Sequence, residues 1–268
     1  MTTEVRMADL GGWQRKVHLE EVWGTVVTFD VRGESLDASV DDVIAEAAAF
    51  LHQVDYWFST YRVDSPITAL RNGLRSYDEM PEVVQRVLDA CLYIRELTEG
   101  VFDPWAVEGG VDPSGFVKGW AADVAADIFV AAGFPNVSVN AAGDVANRGF
   151  QAPNQPWVVG IRHPEHELEV VRTVESLNGA VATSGEYERG PHIRNPHTGK
   201  ADVKLTSATV VGPDGGMADA LATALVIAGT DGVKWFAGMD EWSAYLIVDG
   251  NAHFFGPAFE SRMEVATS

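Results

Sequence analysis

The chain has 268 residues, of which 46% are hydrophobic and 22% are charged, and it carries a formal net charge of −20 at pH 7. These proportions match globular proteins and exclude an intrinsically disordered chain, which would hold fewer hydrophobic residues. The 19 basic residues among 39 acidic ones argue against a nucleic-acid partner and against an anionic membrane surface, because both require clustered Lys and Arg.

The sequence of the N-terminal part of the chain contains no predicted export signal. Residues 1–20 contain acidic side chains and no apolar segment of the kind that secretory signals carry, so we expect a cytoplasmic protein. No run approaches the length and hydropathy of a membrane span, and we predict no membrane insertion. We expect a flexible N-terminal segment over residues 1–16 and a single domain over residues 17–268, because folds of this size often form one unit.

The first predicted elements are a strand and three helices. β-Branched residues predict a strand over residues 17–31. Apolar residues at helical spacing then predict one long helix over residues 39–58. A second helix is expected over residues 81–100, opened by a proline, and a third over residues 117–132, stopped by a glycine.

The second half of the chain is predicted to contain short strands as well as helices. Short strands between Gly, Pro and Asn turns are predicted within residues 137–211. An apolar helix over residues 217–228, a short helix over residues 233–238 and a hairpin with Asp249-Gly-Asn251 at its tip follow. This irregular order predicts an α+β fold, a single domain with a mixed sheet and flanking helices.

Cysteine and histidine give little support for a metal site with sulfur or nitrogen ligands. The single cysteine, Cys91, excludes an internal disulfide and any multi-thiolate site, and its place on an apolar helical stripe predicts a small buried hydrophobe. His163 and His166 share a charged, Pro-containing turn but lack a third ligand.

A glycine-rich string over residues 109–119 leads into the third predicted helix. Gly110 and Gly115 have the spacing of half a phosphate-binding P-loop, but Phe116 and Val117 stand where Lys and Ser or Thr are required. Backbone amides and Lys118 could still meet a phosphate there. On spacing alone, a plain turn into a helix is the favoured interpretation.

Asp219 and Thr223 lie four residues apart in the apolar helix, so they share one face. Two interpretations are open. A carboxylate among apolar residues needs a partner, and a cation that takes the threonine hydroxyl as a second oxygen ligand would supply one. Alternatively, Asp219 lies on the solvent face or near the helix start.

Residues 182–199 form a loop-rich stretch with several hydroxyls and two histidines. Binding residues are frequent on such loops. His192 is a candidate general base or phosphate donor, although a single histidine is more often a surface or packing residue.

Five strings occur in order along the chain: Asp112-Pro-Ser-Gly-Phe-Val-Lys-Gly119, Asn140-Ala-Ala-Gly-Asp144, Ala182-Thr-Ser-Gly-Glu-Tyr187, His192-Ile-Arg-Asn-Pro-His-Thr-Gly199 and Ala218-Asp-Ala-Leu-Ala-Thr223. Together they resemble the ApbE family of FAD-dependent protein FMN transferases. Weaker matches extend the likeness from about residue 22 to residue 248.

The resemblance implies roles for individual residues. Asp219, the Thr223 hydroxyl and the Gly115 carbonyl would hold Mg²⁺ against the FAD diphosphate. Thr183 and His192 would belong to a region that closes over the nucleotide. The family's flavin and adenosine contacts would fall on Trp23, Tyr61, Val101, Phe102, Asp103, Asp112 and Lys118.

Three features depart from the family pattern. Trp23 stands where the family usually has methionine, and Asn195 replaces a common aspartate after the family histidine. The link from Asp103 to Asp112 is short where relatives carry a longer loop.

The implied reaction is transfer of FMN from FAD to a threonine of an acceptor protein. The threonine oxygen would attack the FMN phosphorus in line as AMP leaves. His192 is the candidate general base, because histidine titrates near neutral pH. Two alternatives stay open: an FAD pyrophosphatase that uses water, and a non-catalytic flavin-binding protein. Retention of Asp219 and Thr223 argues against the second of these.

Overall fold

A computed structural model describes residues 11–166, 168–185 and 193–260 of the chain. Most of the expected N-terminal segment, residues 1–10, lies outside this part. The first strand already begins at Gln14, three residues before the predicted domain start at residue 17.

The described residues form two antiparallel sheets. An eight-stranded sheet has the order β1-β2-β3-β4-β8-β9-β10-β11, and a three-stranded sheet has the order β5-β6-β7. The strands are β1 (Gln14–Val22), β2 (Thr25–Gly33), β3 (Val137–Ala141), β4 (Asp144–Arg148), β5 (Phe150–Ala152), β6 (Gln155–Arg162), β7 (Val170–Ser176), β8 (Gly179–Gly185), β9 (Ser207–Gly212), β10 (Ser243–Val248) and β11 (Asn251–Phe255).

Six helices accompany the sheets in the described ranges. They are α1 (Ser39–Phe58), α2 (Pro66–Arg71), α3 (Glu82–Leu97), α4 (Ser114–Ala131), α5 (Gly215–Ala228) and α6 (Pro257–Glu260). Two 3-10 segments, Tyr77–Glu79 and Gly229–Phe236, complete the set. The second replaces the short helix predicted over residues 233–238, whereas α2 was not predicted because it is only 6 residues long.

The predicted α+β class is confirmed, but the prediction of a mixed sheet is wrong. Every strand pairing between described residues is antiparallel. Four of the nine pairings, β1–β2, β3–β4, β5–β6 and β10–β11, join strands separated by only two residues. Such short turns can join strands only in the antiparallel sense.

The single strand predicted over residues 17–31 is a hairpin. Val22 pairs with Thr25, and the two residues between them form the turn. Trp23 and Gly24 have φ angles of 57° and 70°, the left-handed conformation that a two-residue hairpin turn requires. β-Branched residues lie on both sides of this turn, so the propensity pattern alone did not reveal the break.

The main core lies between the large sheet and its helices. Inward-facing strand residues such as Phe29 pack against α1, α4 and α5. The helices α4 and α5 cross so closely that a Cβ on Gly119 would lie 2.0 Å from the carbonyl oxygen of Gly215. Only glycine at position 119 permits this approach, and it places the first turns of the two helices side by side.

The opposite face of the large sheet is partly covered by the small sheet. A second core joins Ile161 and Val174 of the small sheet to Val181, Tyr245 and Ile247 of the large one. The small sheet therefore covers β8, β9 and β10, and it ends at Arg162 close to the cavity described below.

One stretch corrects the prediction that no run has the length and hydropathy of a membrane span. Gly215–Phe236 meets both criteria, but 67% of its most apolar window is buried inside the molecule. Because α5 packs on α4, β8 and β9, its place in the core accounts for this apolar composition.

Candidate active site

A cavity of about 920 Å³ opens at one end of the large sheet. All the candidate site residues that fall within the described ranges line it, and His192 lies outside the described residues. The lining includes Trp23, Tyr61, Val101, Phe102, Asp103, Asp112, Gly115, Lys118, Thr183, Asp219 and Thr223. The structure thus brings together residues from both halves of the chain.

The opening arises because the middle strands of the sheet stop short. The β3–β4 turn lies at Ala142 and Gly143, and the β4–β8 pairing ends at Val145 with Val181. Strand β8 continues to Gly185, paired on its other side with β9. The recess between the β1–β2 turn and the end of β8 forms one side of the cavity.

The glycine-rich string folds as a turn into a helix, as its spacing favoured. Helix α4 begins at Ser114, where the amide donates to the Asp112 carboxylate at 3.0 Å. The Asp112 side chain therefore binds the first residue of α4 and fixes where the helix begins. Gly115 and Lys118 lie in the first turns of α4 and face the cavity.

Helix α5 is similarly fixed at its start. The Asp214 side chain accepts a hydrogen bond of 2.7 Å from the Met217 amide, so the helix begins at Gly215, two residues before the prediction. Asp219 is only 2% exposed, and it lines the cavity together with Thr223. The alternative in which Asp219 lies on the solvent face is wrong.

Two buried carboxylates and one partly exposed ammonium meet at the floor of the cavity. The Lys118 ammonium contacts the Asp144 carboxylate and lies 3.5 Å from Oδ2 of Asp219. Burial, together with the negative charge of Asp144, raises the pKa of Asp219 to about 7, while Lys118 and the Gly119 backbone partly oppose this rise. When both carboxylates are ionised, these three groups together carry one positive and two negative charges.

Neutral oxygen atoms lie beside this charge cluster. The Ser184 hydroxyl on β8 is hydrogen-bonded to the Thr223 hydroxyl at 3.2 Å. A Cβ built on Gly115 would lie 3.6 Å from the Thr223 hydroxyl, so the backbone of Gly115 approaches the same point. Thr183, which also lines the cavity, shares a hydrogen bond of 2.9 Å between its hydroxyl and that of Thr209.

The donor set at this point suits a hard divalent cation. The Asp219 carboxylate, the Thr223 hydroxyl and the Gly115 carbonyl could all serve as oxygen ligands, the kind that Mg²⁺ prefers. Within the described ranges, no group of three or more His, Cys, Asp or Glu side chains could hold a metal. A cation here would therefore depend on one carboxylate, neutral oxygens and oxygens of a bound substrate.

The remaining cavity lining comes largely from loops. Asp103 accepts hydrogen bonds from the Trp105 amide at 2.9 Å and from Arg95 at 2.8 Å, so its carboxylate holds the short loop in shape. Tyr61 is 97% exposed, whereas Phe102 is 5% exposed and joins the core. The loops thus present both an exposed and a packed aromatic ring to the cavity.

Four lining or neighbouring residues were missed by the sequence interpretation. Asp144 and Ser184 occur in the strings that resemble the family, yet nothing in their spacing linked them to Lys118 or Thr223. Arg162, from the small sheet, and Arg194 line the cavity. Distances across the sheet decide these contacts, and they leave no local sequence signal.

The other candidate residues have structural roles. Cys91 is fully buried, as predicted, and burial raises the pKa of its thiol. The rings of His163 and His166 stack at 4.6 Å, and Nδ1 of His163 accepts from the Glu165 amide at 3.0 Å. Asn195 accepts from the His197 amide at 3.0 Å, which shapes a turn beside the cavity.

Comparison with known proteins gives a family match over most of the chain. The model of the ApbE family matches residues 23–109 and 107–246. The FAD:protein FMN transferase of Salmonella typhimurium is 33% identical over 113 residues, which cover 38% of this chain and 32% of the relative. The enzyme of that name from Vibrio cholerae is 32% identical over 111 residues, 38% and 33% of the two chains. The matches thus span about a third of these curated relatives.

Solved structures share the fold over nearly the whole chain. The flavin transferase ApbE from Vibrio cholerae superimposes with a TM-score of 0.80 at 22% identity, covering 92% of this chain and 98% of that one. The ApbE protein from Thermotoga maritima gives a TM-score of 0.79 at 24% identity, covering 91% and 97%. The apo flavinyl transferase ApbE from Pseudomonas stutzeri gives 0.78 at 21% identity, covering 92% and 96%.

Proposed function

The chain belongs to the ApbE family, and we propose that it is a transferase that cleaves FAD and attaches the FMN half to a threonine of an acceptor protein, releasing AMP. The curated relatives it matches are named FAD:protein FMN transferases. The observation that carries the proposal is the buried Asp219 beside Thr223, Gly115 and Lys118 at the floor of a cavity large enough for a nucleotide.

The cavity floor supplies what a diphosphate substrate needs on an acidic protein. Asp219, Thr223 and the Gly115 carbonyl would hold Mg²⁺, which when bound neutralises charge on the FAD diphosphate. Lys118 offers an ammonium group on the same floor, which favours a negatively charged ligand. Without these positive elements, a chain of net charge −20 would repel the substrate.

The loop residues would hold the rest of FAD. Trp23 and Tyr61 offer aromatic faces for stacking, and the segment from Val101 to Asp103 forms the adjoining side of the cavity. Asp112 and Thr183 also line the cavity. Binding both ends of FAD would place its diphosphate over the oxygen ligands.

In the proposed reaction, the acceptor threonine oxygen attacks the FMN phosphorus. A new P–O bond forms as the bond to the AMP phosphate oxygen breaks, and AMP leaves with that electron pair. The threonine proton passes to a base, for which we propose His192. Its neighbours Ile193 and Arg194 line the cavity, which supports this assignment.

A mass-spectrometric assay tests the proposal. The protein is mixed with FAD, Mg²⁺ and a threonine-containing acceptor protein, alongside the acceptor's Thr→Val variant. We expect an acceptor heavier by FMN, with AMP released in equal amount, and no change in the Thr→Val acceptor. Free FMN and AMP with an unmodified acceptor would identify an FAD pyrophosphatase, and unchanged FAD would identify a flavin-binding protein.

The role of His192 has its own test. His192→Ala should slow transfer while the Kd for FAD stays within about threefold, because a base acts on the acceptor rather than on the bound nucleotide. His197→Ala, on an exposed neighbouring turn, is the matched control. Transfer at the wild-type rate by His192→Ala would exclude this histidine as the base.

A further inference from the structure

A second, smaller cavity adjoins the candidate active site. It has a volume of about 240 Å³, and Thr183 lines both cavities. The β3–β4 turn also borders both, with Ala142 in the main cavity and Gly143 in the smaller one. The described residues that line this side groove come from β3, β4, β6, β8 and that turn, and none of them is charged. The side groove therefore leads into the main cavity from the side.

One wall of the side groove is an edge of strand β6. Val158, Val159 and Gly160 all line the groove. Consecutive strand residues point to opposite faces, so a cavity that contacts three in a row lies along the edge of the strand. β6 pairs with β7 on one side, whereas on the other side β5 pairs only with Gln155 and Pro156. Among the described residues, the edge at positions 158–160 has no strand beside it, which leaves its outward backbone groups available to one.

The floor of the side groove is the face of the large sheet. Asn140, Val145 and Val181 pair directly across β3, β4 and β8, so their side chains form one row on this face. The row continues across β2 and β1 to Thr28 and Leu19, and Leu19 is 64% exposed. Further exposed apolar side chains on the same face are Val17 and Val26. The sheet beside the groove thus offers apolar surface of the kind that protein partners cover.

These features suit the acceptor protein better than the nucleotide. FAD in the main cavity would leave the side groove open, and the acceptor threonine must reach the FMN phosphorus beside it. We propose that the side groove binds the threonine-bearing segment of the acceptor as an extended strand added to the edge of β6, which leads the threonine past Thr183 into the main cavity. This inference rests on the proposed function. An uncharged groove between a strand edge and a sheet selects a segment with small, uncharged side chains.

The first test fills the side groove. Val158 is 48% exposed, so Val158→Trp adds its larger ring at the groove without disturbing the core. The probe is the acceptor protein that gains FMN in the mass-spectrometric assay. We expect the KM for this acceptor to rise about tenfold or more, whereas the kcat for flavinylation and the Kd for FAD stay within about threefold, because the obstruction lies outside the main cavity.

Val130→Trp is the matched control for this test. Val130 is a valine on α4 with a similar exposure of 41%, and it lies outside both cavities. Its replacement should leave the KM for the acceptor within about twofold of the wild type. Circular dichroism confirms that both variants are folded. An acceptor KM for folded Val158→Trp that matches the control would overturn the proposal.

The second test detects strand addition in the wild-type protein. Amide hydrogen exchange is measured by mass spectrometry at single-amide resolution, with FAD and with or without a saturating amount of the acceptor's Thr→Val variant, which cannot react. Alternate residues of a strand donate to opposite neighbours, so β7 already protects some amides of β6. We expect exchange to slow about tenfold or more at the alternate amides of β6 that point away from β7. Strand β11, at the far edge of the large sheet, is the control and should not change.

The outcomes of the second test separate this inference from the proposed function. FMN transfer to the acceptor without slowed exchange along β6, or with equal slowing in β11, would defeat only the inference about the side groove. If no acceptor protein gains FMN, the proposed function fails, and the inference fails with it.

Discussion

The cavity has two walls that differ in how the fold holds them. The helix wall consists of Gly115, Lys118, Asp219 and Thr223, on α4 and α5. The loop wall consists of Trp23, Tyr61 and the segment 101–112. Asp219 on the helix wall is 2% exposed, and Tyr61 on the loop wall is 97% exposed. In the proposed function, the groups that would hold a cation and a diphosphate lie on packed helices, whereas the groups that would contact the rest of the substrate lie on loops.

The contrast extends to electrostatics. On the helix wall, charges are removed from water, and burial raises the pKa of Asp219 to about 7. On the loop wall, Asp103 and Asp112 use their carboxylates to hold nearby backbone in place. A change of charge on the helix wall should therefore affect chemistry, and a change on the loop wall should mainly affect affinity.

The largest effect is expected from Asp219. Asp219→Asn should lower Mg²⁺-dependent transfer by about 1,000-fold, because the only charged ligand of the proposed cation site is lost. Thr223→Val should cost roughly tenfold, since a neutral oxygen contributes less than a carboxylate. Chelation of the wild type with EDTA should mimic Asp219→Asn.

Initial rates of acceptor flavinylation measure this difference between the two ligands. The exposed Asp240→Asn is the control for a change of charge away from the cavity, and circular dichroism checks the fold of each variant. Wild-type transfer by a folded Asp219→Asn variant, or transfer indifferent to EDTA, would remove the cation from the mechanism.

The next effect concerns the packing that builds the helix wall. Gly119→Ala would place a Cβ 2.0 Å from the Gly215 carbonyl oxygen. Because backbone meets backbone there, we expect a loss of about 3 kcal/mol in the free energy of unfolding. Urea unfolding measures it.

Gly115→Ala, four residues earlier on α4, is the matched control. Its Cβ would lie 3.4 Å from the Phe102 ring, an ordinary contact, so the free energy of unfolding should change by less than about 1 kcal/mol. Equal effects of the two substitutions would show that the close helix crossing does not determine stability.

A smaller effect is expected from pH. Because the pKa of Asp219 is raised to about 7, the protonated acid predominates below pH 7, and a cation must displace that proton. The Kd for Mg²⁺ should thus rise by up to about tenfold for each pH unit below 7 and level off above it. Isothermal titration calorimetry between pH 5.5 and 8.5 in two buffers would report the released proton, and a flat profile would contradict the raised pKa.

Asp219 also makes the stability of the cation-free protein depend on pH. Here the trend is opposite to that of Mg²⁺ binding, because lower pH favours the folded protein. Between the unfolded pKa of about 4 and the folded pKa of about 7, the folded protein binds more protons at Asp219 than the unfolded chain does. The contribution of Asp219 to the free energy of unfolding therefore falls as pH rises through this window. Asp219→Asn should flatten that part of the pH profile measured by urea unfolding.

The smallest effect is expected on the loop wall. Tyr61→Ala should leave the free energy of unfolding within about 0.5 kcal/mol of the wild type, because the ring is almost fully exposed. The Kd for FAD should rise about three- to tenfold through the lost stacking surface, with little change in the rate at saturating FAD. A large loss of rate at saturating FAD would place Tyr61 in the chemistry and weaken the contrast between the walls.

The sequence by itself determined the local features of this protein. Helical spacing located α1, α3 and α5, and a four-residue interval placed Asp219 and Thr223 on one helix face. The hairpin tip at Asp249 and Gly250 was also recognised. Such features depend on neighbours within a few residues, whose physical preferences act wherever the segment lies.

Only the tertiary structure decided how these pieces meet. Lys118 is 26 residues from Asp144 and 101 residues from Asp219 along the chain, yet all three join on the cavity floor. Ser184 reaches Thr223 across 39 residues. Strand pairing and the close crossing at Gly119 create these distances, and no local periodicity encodes them. Burial then gives Asp219 its raised pKa, because a charge loses the solvation of water only after the chain has folded around it.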